Sequence, residues 1–181
     1  MKQHLFVFID TETTGFDPDR HELIEIGGVV VDASKGKSGE YIVLDEFEYK
    51  IKPSRIGDAD PAALRVNNYD PSAWGDAIPL AEAMQHVAEK TKSMNLVAHN
   101  VAFDSAFIEK AFKITGVKNE MHYHKLDTVS MAYAILRNVD EVDHFSLHAL
   151  CEYFGIKNER AHSALSDARA MFELYKKLMG L

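Results

Sequence analysis

Phe6-Val7-Phe8-Ile9 is an apolar run rich in aromatic and β-branched residues, and it ends abruptly in Asp10-Thr11-Glu12-Thr13-Thr14-Gly15. Such a run, closed by a Thr-Thr-Gly turn signal, predicts a buried central strand. Glu22 to Asp32 predicts a second strand, in which Gly27-Gly28 marks a bulge or a close backbone approach. Ser34 to Gly39 predicts a hairpin loop, and Tyr41 to Ile51 a third strand that Pro53 ends. Three strands in succession, the last two joined by a short loop, favour antiparallel pairing.

From Pro61 the pattern becomes helical. A short helix is predicted near Ala62 to Val66, followed by a loop carrying Asn67-Asn68-Tyr69-Asp70-Pro71. Leu80 to Lys92 predicts a helix with Leu80, Met84, Val87 and Ala88 on its apolar face. Leu96 to Ala98 predicts a fourth strand, and the helix after it, starting near Asp104, carries the stripe Phe107, Ile108, Ala111 and Phe112. A fifth strand is predicted over Tyr123 to Leu126, then helices from Asp127-Thr128 to about Arg137 and from Ser146 to Phe154, the latter stopped by Gly155. The last helix has two adjacent apolar stripes. One is Ala161, Leu165, Ala168, Phe172, Tyr175 and Met179; the other is Ala164, Met171, Leu174 and Leu178, with Asp167 in its second place. No repeat, low-complexity segment or linker interrupts the chain, so a single domain over residues 1–181 is expected.

Composition narrows the class. A chain of 181 residues with 46% hydrophobic and 27% charged residues is ordinary for a globular domain with a substantial core. No apolar run is long enough to cross a bilayer, and Met1-Lys2-Gln3-His4 lacks a signal-peptide pattern. One cysteine, Cys151, rules out an internal disulfide, so a cytoplasmic protein with no membrane partner is expected. The net charge of −8 argues against a protein that coats nucleic acid through phosphate contacts alone. It is compatible with a nuclease whose carboxylates hold metal, because bound divalent ions reverse the local sign.

The candidate chemistry rests on a few positions. Residues i and i+2 of a strand share a face, so Asp10 and Glu12 project together. Two adjacent carboxylates need a cation or a proton between them; hard oxygen ligands suit Mg²⁺ or Mn²⁺, while a solvated strand end is the plainer alternative. Asp104, at a predicted helix start, reads equally as an N-cap. Asp167 on an apolar stripe requires a metal, an arginine or a lysine to satisfy it. His162 lies five residues before it, next to the candidate N-cap Ser163.

Together these segments resemble a known family. Phe-Ile-Asp10-Thr-Glu12-Thr-Thr-Gly, Val-Ala-His-Asn-Val-Ala-Phe-Asp104 and His162-Ser-Ala-Leu-Ser-Asp167-Ala are similar, in order and spacing, to the three motifs of the DEDD superfamily of 3′→5′ exonucleases. The closing His-x₄-Asp is that of the histidine (DEDDh) branch. The resemblance runs from Phe6 to about Tyr175 and is strongest to DnaQ-like proofreading domains, while Arg-Ala-His-Ser-Ala-Leu is also similar to ribonuclease T.

The resemblance implies an α/β ribonuclease H-like fold: a five-stranded mixed sheet with helices on both faces, the first three strands antiparallel and central. It implies two divalent metal ions, Mg²⁺ or Mn²⁺, held by Asp10, Glu12, Asp104 (through a water) and Asp167, with His162 as general base. The backbone near Thr13 and Thr14 would meet the terminal 3′-OH, and Asn100 and Phe103 would line the pocket of the last nucleotide. Phe103 is also a plausible core residue one turn before Phe107. Where proofreading domains often have Val-His-Gly, this chain has Val66-Asn67-Asn68, a departure at the binding edge. Glu25, opposite in facing to Ile24 and Ile26, supports the site from behind or faces solvent.

The expected activity is thus release of nucleoside 5′-monophosphates from the 3′ end of DNA. The expected partner is a nucleic acid with a free 3′ end, single-stranded, with any polymerase partner acting in trans. An exoribonuclease trimming RNA 3′ ends, and a non-catalytic module binding nucleic acid or a polymerase, are the alternatives.

Overall fold

The computed structural model describes residues 4–36, 39–158 and 163–180. Five strands form one sheet: β1 (Leu5–Thr13), β2 (Leu23–Asp32), β3 (Ile42–Lys50), β4 (Asn95–Ala98) and β5 (Lys125–Asp127), in the order β3-β2-β1-β4-β5. The first three pair antiparallel, and β1–β4 and β4–β5 pair parallel. The expected mixed five-stranded sheet is therefore present, with β1 at its centre. One expectation needs correction: β3 is not central but takes the edge, and Ile42, Val43 and Leu44 on it are exposed.

Strand alternation divides β1 between two cores. Val7 and Ile9 are fully buried against α2 (Leu80–Thr91) and α3 (Val101–Thr115), where they meet Met84, Val87, Ile108, Ala111 and Phe112. Phe8 points the other way, into a core with Val29, Ala168, Met171, Phe172 and Tyr175 of α6 (Ala164–Met179). Its ring lies 5.0 Å from that of Phe172 and 5.3 Å from that of Tyr175. Each such buried side chain contributes about 1.5–3 kcal/mol. These contacts fix α6 along β1.

The second stripe of α6 explains its double apolar face. Leu174 and Leu178 pack outward on α4 (Thr128–Leu136) and α5 (Leu147–Phe154) through Ala132, Leu136 and Leu150. Helix α6 is consequently sandwiched between the sheet and a second helical layer. The remaining helix, α1 (Pro61–Val66), begins with Asp60 accepting from the Ala62 N–H and has Asn67 as its C-cap. Ser146 caps α5 and Gly155 ends it at φ 65°, as the sequence predicts.

The two central glycines of β2 mark close approach. A Cβ on Gly27 would lie 2.2 Å from the Leu165 nitrogen, and one on Gly28 would lie 2.3 Å from the Phe47 ring. The irregularities of the sheet fall elsewhere, between Glu12 and Thr13 and between Val30 and Val31.

Candidate active site

The site forms at the end of β1, where the apolar run stops. Asp10 and Glu12 continue the face of Phe8 and so look toward the start of α6. Opposite Asp10 in the register stands Gly27, whose missing side chain lets the α6 backbone come down onto the sheet. Asp167, in the first turn of α6, then reaches the same place. Among the described residues, Asp10, Glu12 and Asp167 form one group of potential ligands, with an oxygen from each lying within 4.8 Å of the others.

Asp104 approaches from the opposite face of β1. It is 3% exposed and lies in the first turn of α3, not at its cap. The capping reading of Asp104 is therefore corrected: the N-cap is Asn100, in the left-handed region at φ 70°. The Asn100 and Val101 N–H groups donate instead to Asp127 Oδ1, at 2.9 and 3.1 Å, while Asp127 Oδ2 accepts from the Ser130 N–H of α4. Released from that task, the Asp104 carboxylate accepts from the Thr11 hydroxyl at 2.8 Å.

Asp10, Glu12 and Asp104, crowded in a partly dry place, resist ionisation. Burial, followed by the charges of Asp104, Glu12, Asp167 and Glu25, raises Asp10 well above the ordinary carboxylate range. Burial and then Asp167, Glu25 and Asp104 push Glu12 up to about 8. Asp104 is pushed up to about 7, chiefly by burial and against the stabilising bond from Thr11. The acidic oxygen-only donor set fits a hard divalent cation, which would remove the repulsion that these shifts express. An arginine answering Asp167 is not supplied by its neighbour Arg169, whose guanidinium pairs with Glu46.

Supporting contacts come from residues that no local pattern announces. Glu25, paired with Glu12 across the sheet, is 4% exposed, and its Oε1 accepts from the Ala164 N–H at 2.8 Å. It thus supports the start of α6 from behind. Burial raises its pKa against that hydrogen bond. Glu48 accepts from the Ser163 hydroxyl at 2.9 Å and from the Leu165 N–H, and Asn158 donates to Asp167. Ser163 is the N-cap of α6 but uses its hydroxyl on Glu48 and makes no cap hydrogen bond.

A cavity of about 270 Å³ opens beside Glu12. Thr13 and Phe103 line it, together with Val66 and Asn67 of the segment that the resemblance puts at the binding edge, and with Phe16, which the sequence does not single out. Phe103 is half-buried and stands between Phe16 and Phe107, with ring centroids 6.1 and 5.1 Å away. Thr14 and Asn100 are not part of the lining. The Thr14 hydroxyl accepts from the Glu22 N–H, and Asn100 is exposed at the start of α3. His162 lies outside the described residues, as does Ala161 of the first α6 stripe.

A family model described as "Exonuclease" matches residues 7–175. The chain belongs to this exonuclease family. It is a DEDD 3′→5′ exonuclease, a hydrolase, and its sheet and helices are those of the ribonuclease H-like fold. Ribonuclease T of Shewanella frigidimarina is 33% identical over 93% of this chain and 79% of that protein. DNA polymerase III subunit epsilon of Escherichia coli is 30% identical, over 96% of this chain and 71% of that protein. A PolC-type DNA polymerase III of Caldanaerobacter subterraneus is also 30% identical, but the exonuclease chain spans only 11% of its length. Among solved structures, E. coli exonuclease I in complex with a dT13 oligonucleotide superposes with a TM-score of 0.78 at 20% identity. That match covers 97% of this exonuclease and 41% of exonuclease I, and it speaks for the fold alone.

Proposed function

We propose that this chain, as a single domain in the cytoplasm, removes nucleotides from the 3′ end of single-stranded DNA as 5′-monophosphates. The observation that carries the reading is the convergence of Asp10, Glu12 and Asp167, beside a cavity that has aromatic residues on its wall. Two divalent ions, Mg²⁺ or Mn²⁺, are the cofactor, and when bound they supply charge to both the attacking and the leaving oxygen of an in-line displacement. Asp10, Glu12 and Asp167 would hold one ion, and Asp10 and Asp104 would serve the second.

The chain's own residues do the rest. His162 takes the proton of the attacking water, whose oxygen forms the new bond to phosphorus as the bond to the leaving 3′ oxygen breaks. The backbone at Thr13 and Thr14 receives the terminal 3′-OH, and Phe103 offers its ring to the terminal base, a sequence-tolerant way to hold it. The buried, free Cys151 supports a reducing compartment.

The similarity to a protein named as a polymerase subunit supports a polymerase partner in trans. Ribonuclease T, at a slightly higher identity than the epsilon subunit, supports a second reading in which the substrate is the 3′ end of RNA. A time course with matched DNA and RNA oligonucleotides labelled at the 5′ end tests both. A ladder shortening from the 3′ end with Mn²⁺ or Mg²⁺, absent with EDTA, is expected, and the faster substrate chooses between the readings. Asp10→Ala and Asp167→Ala should each lose at least about a hundredfold in rate. Near wild-type rates for purified Asp10→Ala would overturn the metal assignment.

A further inference from the structure

Asn67 is a buried polar residue of the cavity whose hydrogen bonding is incomplete. It is 8% exposed, and its side-chain N–H donates to the Thr13 carbonyl at 2.7 Å, across 54 residues of chain. A carbonyl oxygen can be met only by the amide nitrogen, so the orientation of the carboxamide follows from this contact. Its oxygen has no hydrogen-bond donor among the described residues. No buried side-chain nitrogen or oxygen among them is without a partner, so this oxygen reaches open space. The open space that Asn67 lines is the cavity beside Glu12.

We infer that Asn67 reads the sugar of the terminal nucleotide, its carboxamide oxygen accepting a hydrogen bond from a sugar hydroxyl. The inference rests on the exonuclease reading and names a specificity residue within it. Position decides between sugar and base. Asn67 is tied to Thr13, one residue from Glu12, where the phosphate must lie for hydrolysis. The aromatic wall at Phe16 and Phe103 lies beyond, where a base would stack. The sugar joins the two. An oxygen acceptor at that point selects for a hydroxyl, because a ligand lacking the donor leaves the acceptor desolvated and unpaired.

The same contact makes Asn67 a positioning residue. Its donation to Thr13, together with the Asp60 N–H donating to the Thr14 carbonyl at 2.8 Å, ties α1 to the turn after β1.

The 2′-OH and the 3′-OH are both donors of this kind, and the test separates them. Oligonucleotides of one sequence ending in a ribonucleotide, a 2′-deoxynucleotide or a 3′-deoxynucleotide are compared by kcat/KM on wild type, Asn67→Ala and Asn67→Asp. In wild type, loss of one of the two hydroxyls should cost about tenfold. In Asn67→Ala that same loss should cost less than about twofold, while Asn67→Asp, which keeps an oxygen acceptor but cannot donate to the Thr13 carbonyl, should lower kcat/KM on all three ends.

Calorimetry with adenosine 5′-monophosphate and its 2′- and 3′-deoxy forms gives the same comparison without turnover, and decides the matter if Asn67→Ala is poorly folded. An equal hydroxyl dependence in wild type and Asn67→Ala, or none in wild type, would overturn the inference while the exonuclease reading stands. A change in base preference with unchanged hydroxyl dependence would overturn it too. If wild type shortens no oligonucleotide, it is the exonuclease reading that fails, and the nucleotide-binding comparison still judges Asn67.

Discussion

Gly27→Ala is a one-carbon change that should damage the site from behind. The added Cβ would stand 2.2 Å from the Leu165 nitrogen, 2.4 Å from the Ala164 carbonyl carbon and 2.6 Å from Leu165 Cα. All three are backbone atoms of the first turn of α6, so no side chain can swing aside. Restoring ordinary contact near 3.4 Å requires the helix start to retreat by about 1 Å, and overpacking of this kind costs about 1–3 kcal/mol. The retreat also stretches the 2.8 Å bond from Ala164 N–H to Glu25 beyond hydrogen-bonding range. That bond contributes about 1–2 kcal/mol, so the combined loss is about 2–5 kcal/mol. Typical domain stabilities of about 5–15 kcal/mol leave the variant folded but weakened.

Because Asp167 travels with that turn, affinity for Mn²⁺ should fall about tenfold or more. Urea unfolding gives the first quantity and calorimetric Mn²⁺ titration the second. Gly57→Ala is the control, since nothing lies within 4 Å of its added Cβ, and it should stay within about 0.5 kcal/mol of wild type. If Gly27→Ala lost under about 1 kcal/mol and bound Mn²⁺ normally, the close approach of α6 to β2 would not be what places Asp167.

The remaining predictions concern the charges. Glu12 and Asp104 hold their protons to about 8 and about 7 in the folded protein, above the ordinary range near 4 of the unfolded chain. They therefore contribute stability that is fully present below about pH 4 and lost as pH rises through about 7–8. In EDTA the urea midpoint should decline between about pH 5 and 8, and saturating Mg²⁺ should flatten the decline; a level profile in EDTA would contradict the crowding of carboxylates. At Glu25, Glu25→Gln keeps an acceptor for the Ala164 N–H and should lose under about 0.5 kcal/mol in urea unfolding, whereas Glu25→Ala should lose about 1–2 kcal/mol. Equal losses for the two would show that the charge, not the hydrogen bond, supports α6.

What could be read from the chain followed periodicity. The alternation at Phe6 to Glu12 placed two carboxylates on one face, and the helical spacing after Ala164 placed Asp167 on a buried stripe; both are local patterns. Asp104 shows where local reading stops. An aspartate near a helix start is a good cap by propensity, but here Asp127, 23 residues on and from another strand end, takes that task through Asn100 and Val101. Glu25, Asn158 and Asn67 have partners 139, 9 and 54 residues away, and only the folded chain reveals such pairings. The edge place of β3 is a different case: the resemblance implies three central antiparallel strands, yet edge position depends on the order of strands, which hydrophobicity does not encode.

The end of β1 is a place where both faces of the sheet can contribute to one reaction. Along the strand, successive side chains serve different layers: Phe8 faces α6, Ile9 faces α3, and the division continues in polar form. Asp10 and Glu12 meet Asp167 of α6, while Thr11 between them reaches through the other face to Asp104 of α3. The strand thus gathers carboxylates from two helices that pack on opposite faces of the sheet. Such crowding costs stability, which the folded chain offsets through its aromatic contacts at Phe8 and through the backbone bonds accepted by Glu25 and Glu48. Relief of the repulsion by cation binding then couples affinity for the metal to the strain of the empty cluster: variants that neutralise Asp10 or Glu12 should gain stability in EDTA while losing the site that the fold was stressed to build.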